Sequence, residues 1–165
     1  AVPKQFVTLP GSEKHELIFV CQGLLRFYYV GEEGKETNKA FLAEGEFGGP
    51  LASAMMGLPL YFGIQALEPT TMLVANFETF TALFPRHQAY ERLGRKLAES
   101  LLMRKELRMR SLLENNAKER YLRFCQKNPH LVERVPQYHL ASYLGIAEVS
   151  LSRLKSSLPT QIEQP

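Results

Sequence analysis

Apolar residues follow two different periods along this chain, and the switch between them falls near Phe80. Before it, short apolar runs alternate with turn residues. Leu17-Ile18-Phe19-Val20 and the stretch from Leu24 to Val30 are rich in the aromatic and β-branched side chains that fit a pleated sheet. Gly23 separates the two, and Gly31-Glu32-Glu33-Gly34 supplies a polar hairpin turn. A further strand is expected from Thr37 to Leu42, and a late one from Leu73 to Phe77 after the turn Pro69-Thr70-Thr71. Short strands punctuated this regularly predict a sandwich, barrel or roll.

Beyond Phe80 the spacing becomes helical. Tyr90, Leu93, Leu97 and Leu101 recur every three or four residues, and Ala98, Leu102, Met109 and Leu113 form a second stripe. No Gly or Pro interrupts the chain between Arg95 and Gln126, so one long helix is expected from about Tyr90 to Leu113. Two apolar faces need two covers: the β domain for one, and either a second copy of the helix or ordinary core packing for the other. After Asn115-Asn116 a short amphipathic helix begins at Ala117, and Asn128-Pro129 closes it.

The segment from Val135 to Lys155 is the most informative. Pro136 can open a helix, Leu140, Ala141 and Leu144 give it an apolar face, and Gly145 follows where a left-handed residue ends a helix. Ile146 is expected as a buried turn residue, with Leu151 and Leu154 anchoring a second helix. Helix, short glycine-bearing turn, helix is the helix-turn-helix arrangement, although an ordinary pair of packed helices fits the same pattern. Outward positions on the second helix are Glu148, Val149, Ser150, Ser152, Arg153 and Lys155. In a DNA-binding version the start of that helix enters the major groove, where Arg and Ser meet base edges and phosphates.

Charge sharpens this reading. Residues 1–85 carry 5 Lys/Arg against 9 Glu, whereas residues 86–165 carry 15 against 8, so a net +3 conceals an acidic half joined to a basic one. A basic half suggests a nucleic-acid or acidic-membrane partner. No apolar run is long enough to cross a bilayer and no leader pattern opens the sequence, so a cytoplasmic location is expected. The two cysteines, Cys21 and Cys125, are expected as buried, reduced thiols. Asp is absent altogether, and the four histidines lack metal-ligand spacing, so no metal and no cofactor are expected. Without a nucleophile set, phosphate loop or paired acids, the chain is not expected to be an enzyme.

Four segments, taken in order, resemble the Crp/Fnr family of bacterial transcription regulators, particularly a subgroup common in Bacteroidetes-type bacteria. They are Leu17 to Tyr29, Gly45-Glu46-Phe47-Gly48-Gly49, Glu119-Arg120-Tyr121-Leu122, and Tyr143 through Leu154. Together they span about residues 6–158. The resemblance implies an α+β chain in three parts. Residues 1–88 would be a jelly-roll-like β-roll of the cyclic-nucleotide-binding type, 89–114 a long dimerisation helix, and 115–165 a helix-turn-helix domain. It further implies a homodimer that binds double-stranded DNA, acts with RNA polymerase and controls transcription. Leu93, Leu97, Leu101, Leu102 and Met109 are then assigned to the dimer helix, and Gln137, His139, Glu148, Ser150, Ser152, Arg153 and Lys155 to DNA. An effector pocket is assigned to Phe47, Gly48, Gly49, Leu51 and Gln65.

The departures from that family are specific. Its cyclic-nucleotide binders follow the glycine cassette with Glu and later show Arg-Ser/Thr-Ala; here Pro50 and Phe62-Gly63-Ile64 stand in those places. No Lys or Arg occurs between Lys39 and Arg86. A buried phosphate without a cation is costly, so cyclic AMP binding is expected to be weak or absent and the effector is unknown. The iron–sulfur branch needs four cysteines, and two are present. Ala147 takes the place of the usual Ser/Thr cap of the second helix, and Glu148 and Val149 make its start less positive. These features keep a second reading in view, a sensor module acting through protein partners with a degenerate DNA domain.

Overall fold

The computed structural model describes residues 1–158 of the 165. The chain separates into two compact units, Ala1–Lys105 and Glu106–Pro165. Seven strands fill the first: β1 (Phe6–Thr8), β2 (Glu16–Gln22), β3 (Leu25–Val30), β4 (Glu36–Leu42), β5 (Phe47–Gly48), β6 (Gly63–Ala66) and β7 (Thr71–Asn76). A short helix α1 (Leu51–Met56) and a shorter one, α2 (Phe77–Thr81), accompany them. The strands form two antiparallel sheets, one ordered β1-β6-β3-β4 and the other β5-β2-β7. Ile18 and Val20 from one sheet meet Leu25, Phe27, Leu42, Ile64 and Ala66 from the other, and Phe62 completes that core. Burying such a set is the main term favouring the roll, at about 1.5–3 kcal/mol per large apolar side chain.

Gly23 is required by the turn between β2 and β3. Its φ is +97°, and a Cβ there would lie 2.3 Å from the Pro69 carbonyl oxygen. The polar hairpin from Gly31 closes as expected, with Gly34 N–H donating to the Gly31 carbonyl at 2.9 Å. Cys21, however, is exposed rather than buried. It lies in an apolar run, but β2 shifts register against β7 between Val20 and Gln22, and Cys21, the extra residue of that bulge, is exposed beside core Val20.

The long helix α3 runs Gln88–Glu114, 27 residues, and the boundary between the two units falls inside it. Four further elements follow: α4 (Ala117–Lys127), a single 3₁₀ turn at Pro129–Leu131, α5 (Gln137–Leu144) and α6 (Glu148–Ser157). Asn116 caps α4 with a reciprocal box: its side chain accepts from Glu119 N–H at 3.0 Å, and Glu119 accepts from Asn116 N–H at 2.9 Å. Tyr121, Phe124, Leu131, Val135, Leu140, Leu144 and Leu151 form the buried interior of this helical unit, and Cys125 is buried as expected.

Candidate nucleic-acid interface and effector site

The turn between α5 and α6 is built by three consecutive residues. Gly145 adopts φ 68°, the left-handed conformation that stops α5, and Ile146 N–H donates back to the Ala141 carbonyl at 3.1 Å. Ile146 is half-buried, and Ala147 caps α6 through its extended backbone without a side-chain hydrogen bond. Leu151 is fully buried and fixes the rotation of α6. That rotation leaves Glu148, Val149, Ser150, Ser152 and Arg153 exposed and Lys155 half-buried.

Two arginines hold α5 from its C-terminal end, where the last carbonyls lack intrahelical donors. Arg108, from α3, donates to the Tyr143 carbonyl, and its guanidinium stacks 3.9 Å from the centre of the Tyr143 ring. Arg120, from α4, donates to the Leu144 carbonyl at 2.8 Å and to the Asn115 carbonyl at 2.6 Å. Burial lowers the pKa of Arg108; Tyr143 opposes that shift and Arg120 adds to it. Sequence reasoning assigned neither arginine a role. Each signals itself only through which carbonyl it reaches, a non-local fact.

The residues assigned to DNA do not all share one surface. Glu148, Ser150, Ser152 and Arg153 lie together on the open side of α6. Gln137 is half-buried at the start of α5. His139 is 5% exposed and belongs to the buried arc of α5 with Leu140, Ala141 and Leu144, so in this conformation it faces the domain interior. Its neighbour Tyr138, stacked against it at 4.0 Å between ring centres, takes the exposed position instead.

The residues assigned to an effector pocket are not brought together on one surface either. Phe47 lines a depression of about 330 Å³ together with Gly45, Glu46, Leu97, Ser100 and Arg104. Arg104 donates to the Phe47 carbonyl at 2.6 Å and pairs with Glu46 at 3.2 Å, while Glu46 also accepts from Ala43 N–H at 2.8 Å. Gly48 instead packs toward the core: a Cβ there would lie 3.0 Å from Leu42 and 3.2 Å from Phe27. Gly49 packs against the β2 backbone at Glu16 and Leu17, and Leu51 opens α1, so neither lines the depression. Gln65 is elsewhere. Ile64 and Ala66 occupy the core, so alternation turns Gln65 to the opposite face of its sheet. There it accepts from Arg26 Nε at 2.7 Å and donates to the Lys4 carbonyl at 3.0 Å. Arg26 is itself buried and further bonded to Asn38 at 3.2 Å and Glu36 at 2.5 Å.

A cation that sequence reasoning passed over lies at the other end of the core. The β3–β4 ladder shifts register between Phe27 and Tyr28, whose partners are Ala40 and Asn38. Lys39 is the extra residue of that bulge. Its Nζ sits 3.5 Å from the centre of the Phe62 ring and 5.3 Å from that of Tyr29. Burial, with a smaller contribution from the charge of Lys105, pulls its pKa down from 10.5 to about 8.

Among the described residues, no group of three or more His, Cys or Glu side chains is placed to hold a metal ion. No described helix is long and apolar enough to cross a membrane. Residues 2–87 match the family model for the cyclic nucleotide-binding domain. No curated protein sequence matches the chain. Among solved structures, FixK2 from Bradyrhizobium japonicum is similar at 19% identity and a TM-score of 0.82, covering 97% of this chain and 82% of its own. A CooA mutant from Carboxydothermus hydrogenoformans is similar at 21% identity and 0.74, covering 94% and 72%. A Eubacterium rectale protein assigned to the crp/fnr family of transcriptional regulators is similar at 15% and 0.71, covering 93% and 74%. At these identities the likeness establishes the fold: an antiparallel β domain followed by several helices.

Proposed function

Since the chain belongs to the cyclic nucleotide-binding domain family and carries a helix-turn-helix behind that domain, we propose that it is a homodimeric, DNA-binding transcription regulator of the Crp/Fnr type. The observation that carries this reading is α6. Its Ser150, Ser152 and Arg153 are open to solvent on a helix whose partner α5 is held at its end by two arginines. A rigidly seated helix presenting short polar groups and Arg suits the major groove, where Arg can bond guanine through two atoms.

The dimer rests on α3. No residue of that helix is fully buried, and Leu102 and Met109 are 66% and 52% exposed. Leu93 is exposed as well, and Leu97 and Leu101 are half-buried. An apolar stripe of this length left in water fits a second copy. The two α6 helices of such a dimer would address half-sites about 34 Å apart. RNA polymerase as a further partner, the cytoplasm as location, a non-enzymatic role and the Bacteroidetes-type subgroup belong to the same reading and rest on the family resemblance.

The sensor has lost cyclic AMP binding in this reading. Phe62, in the place of the expected arginine, is 3% exposed and packs on Phe27 at 5.6 Å between ring centres. A second reading, a sensor acting through protein partners, is favoured by the uncapped Ala147 and the Glu148 beside it at the start of α6. Selection of randomised duplex DNA by the purified protein, sequenced at two salt concentrations, separates the two. Enrichment of a palindrome with half-sites one turn apart, weakened by salt, is expected. No enrichment at either salt, with or without cell metabolites, would overturn the regulator reading.

A further inference from the structure

At the centre of the open side of α6 stands a residue with no polar side-chain group. Successive positions on a helix turn by about 100°, so Val149, Ser152, Arg153 and Ser156 lie along one stripe. Leu151, two residues on from Val149 and fully buried, points nearly the opposite way. Val149 is 62% exposed in the first turn of the helix, with Glu148 and Ser150 to either side. Ser156 donates its hydroxyl back to the Ser152 carbonyl at 3.1 Å, which leaves Val149, Ser152 and Arg153 as the outward groups of the stripe.

The chemistry of an isopropyl group limits what it can read. Having neither donor nor acceptor, it adds nothing to a phosphate contact and nothing to the hydrogen-bonding edge of a base. In the major groove the apolar group on display is the C5 methyl of thymine. Val suits that contact for a second reason. On a helix its branched Cβ leaves one strongly preferred rotamer, so both methyls are in place before a duplex arrives and little side-chain entropy is lost on contact. In the free protein the choice is unfavourable, because Val is a weaker helix former than Ala and its side chain is left in water.

We propose that Val149 is a specificity-determining residue of the DNA-reading helix, selecting a thymine by its 5-methyl group in the same half-site as the base met by Arg153. This deepens the function proposed above and rests on it: the surface is the same face of α6, and what is added is the base it demands.

The test begins with selection of randomised duplex DNA by the purified full chain, which supplies the half-site. Each thymine of that half-site is then replaced by uracil, one at a time and in one half-site only. Uracil keeps every hydrogen-bonding atom of thymine and lacks the methyl alone. At one position the change is expected to weaken binding by the parent about fourfold, the effect of uncovering one methyl group. Val149→Ala should bind the thymine and uracil duplexes alike at that position, and Val149→Thr, which keeps the branch and one methyl, should retain part of the preference. The thymine-to-uracil ratio should be the same at two salt concentrations, since a methyl contact releases no counterion, whereas affinity itself falls with salt. Because Val149 is exposed, thermal unfolding of Val149→Ala should match the parent or lie slightly above it, so that a lost preference is not a lost fold.

The assignment is overturned if the selected half-site lacks a fixed thymine, if no uracil replacement weakens binding, or if the weakening persists undiminished in Val149→Ala. An enriched half-site without methyl dependence removes the role of Val149 and leaves the regulator reading in place. No enriched site, at either salt and with or without cell metabolites, removes both.

Discussion

Replacing Lys39 by Met should stabilise the protein at neutral pH. The fall in pKa from 10.5 to about 8 corresponds to about 3 kcal/mol against the charged form, at about 1.4 kcal/mol per tenfold change. Half-burial leaves some solvent screening, and the ring contacts return on the order of 1 kcal/mol, so the net gain for Met is about 1–2 kcal/mol. Met keeps the length and the contact with Phe62 and discards the charge. The sign of the pH dependence follows from proton counting. Below about pH 8 both folded and unfolded states hold the Lys39 proton, and the penalty is complete. Between about 8 and 10.5 the unfolded chain holds a proton that the folded one has released, so the parent gains stability as pH rises. Urea unfolding of parent and variant should therefore show a gap at about pH 7 that closes by more than half by about pH 9.5. Tyr28, Tyr29 and Cys125, whose pKa values burial raises, lose stability at the alkaline end, but equally in both proteins, and cancel in the difference. A variant less stable than the parent at pH 7, or a gap indifferent to pH, would refute the reasoning.

Three other outcomes can be measured directly. Gly23→Ala forces a Cβ to within 2.3 Å of the Pro69 carbonyl at a left-handed φ and should cost more than about 2 kcal/mol by denaturant unfolding, if it folds at all. Asn116→Ala removes the side-chain half of the α4 capping box, the acceptor of the Glu119 N–H, and should cost about 1 kcal/mol, with thermal unfolding as the check. Arg153→Ala, on the exposed side of α6, should lower affinity for the selected duplex about tenfold, and titration across salt concentrations would show whether it met a phosphate or a base.

What could be read from the sequence was what is local. The 3.6-residue spacing of Leu93, Leu97 and Leu101 located α3 to within two residues at its start and one at its end. Gly145 marked the end of α5 because a left-handed residue announces itself without reference to anything distant. Strands β2, β3, β4 and β7 were visible in their composition, whereas β1, β5 and β6 were too short, or too glycine-bearing, to stand out. Contacts between strands were not legible: Cys21 is exposed where β2 shifts register against β7, and Gln65, in a strand the composition does not reveal, lies on the face away from Ile64 and Ala66. His139 was placed outward because a polar residue on a short helix looks like a surface residue until the packing of α5 is known. Lys39 was invisible for a deeper reason: a bulge exists only in the register between two strands, and one strand's sequence does not encode it.

The pairing of the two sheets has a kinetic consequence. β1 pairs with β6, Phe6 opposite Gln65, and β2 pairs with β7, Glu16 opposite Asn76, so each early strand waits for a partner about sixty residues downstream. Chain closures of that length slow folding, whereas the short-range helices of Glu106–Pro165 can assemble from neighbours. During synthesis the apolar run Leu17-Ile18-Phe19-Val20 therefore leaves the ribosome well before β7 exists to cover its edge. The roll, although it is made first, is the part of this protein that finishes late and the part most exposed to aggregation while it does so.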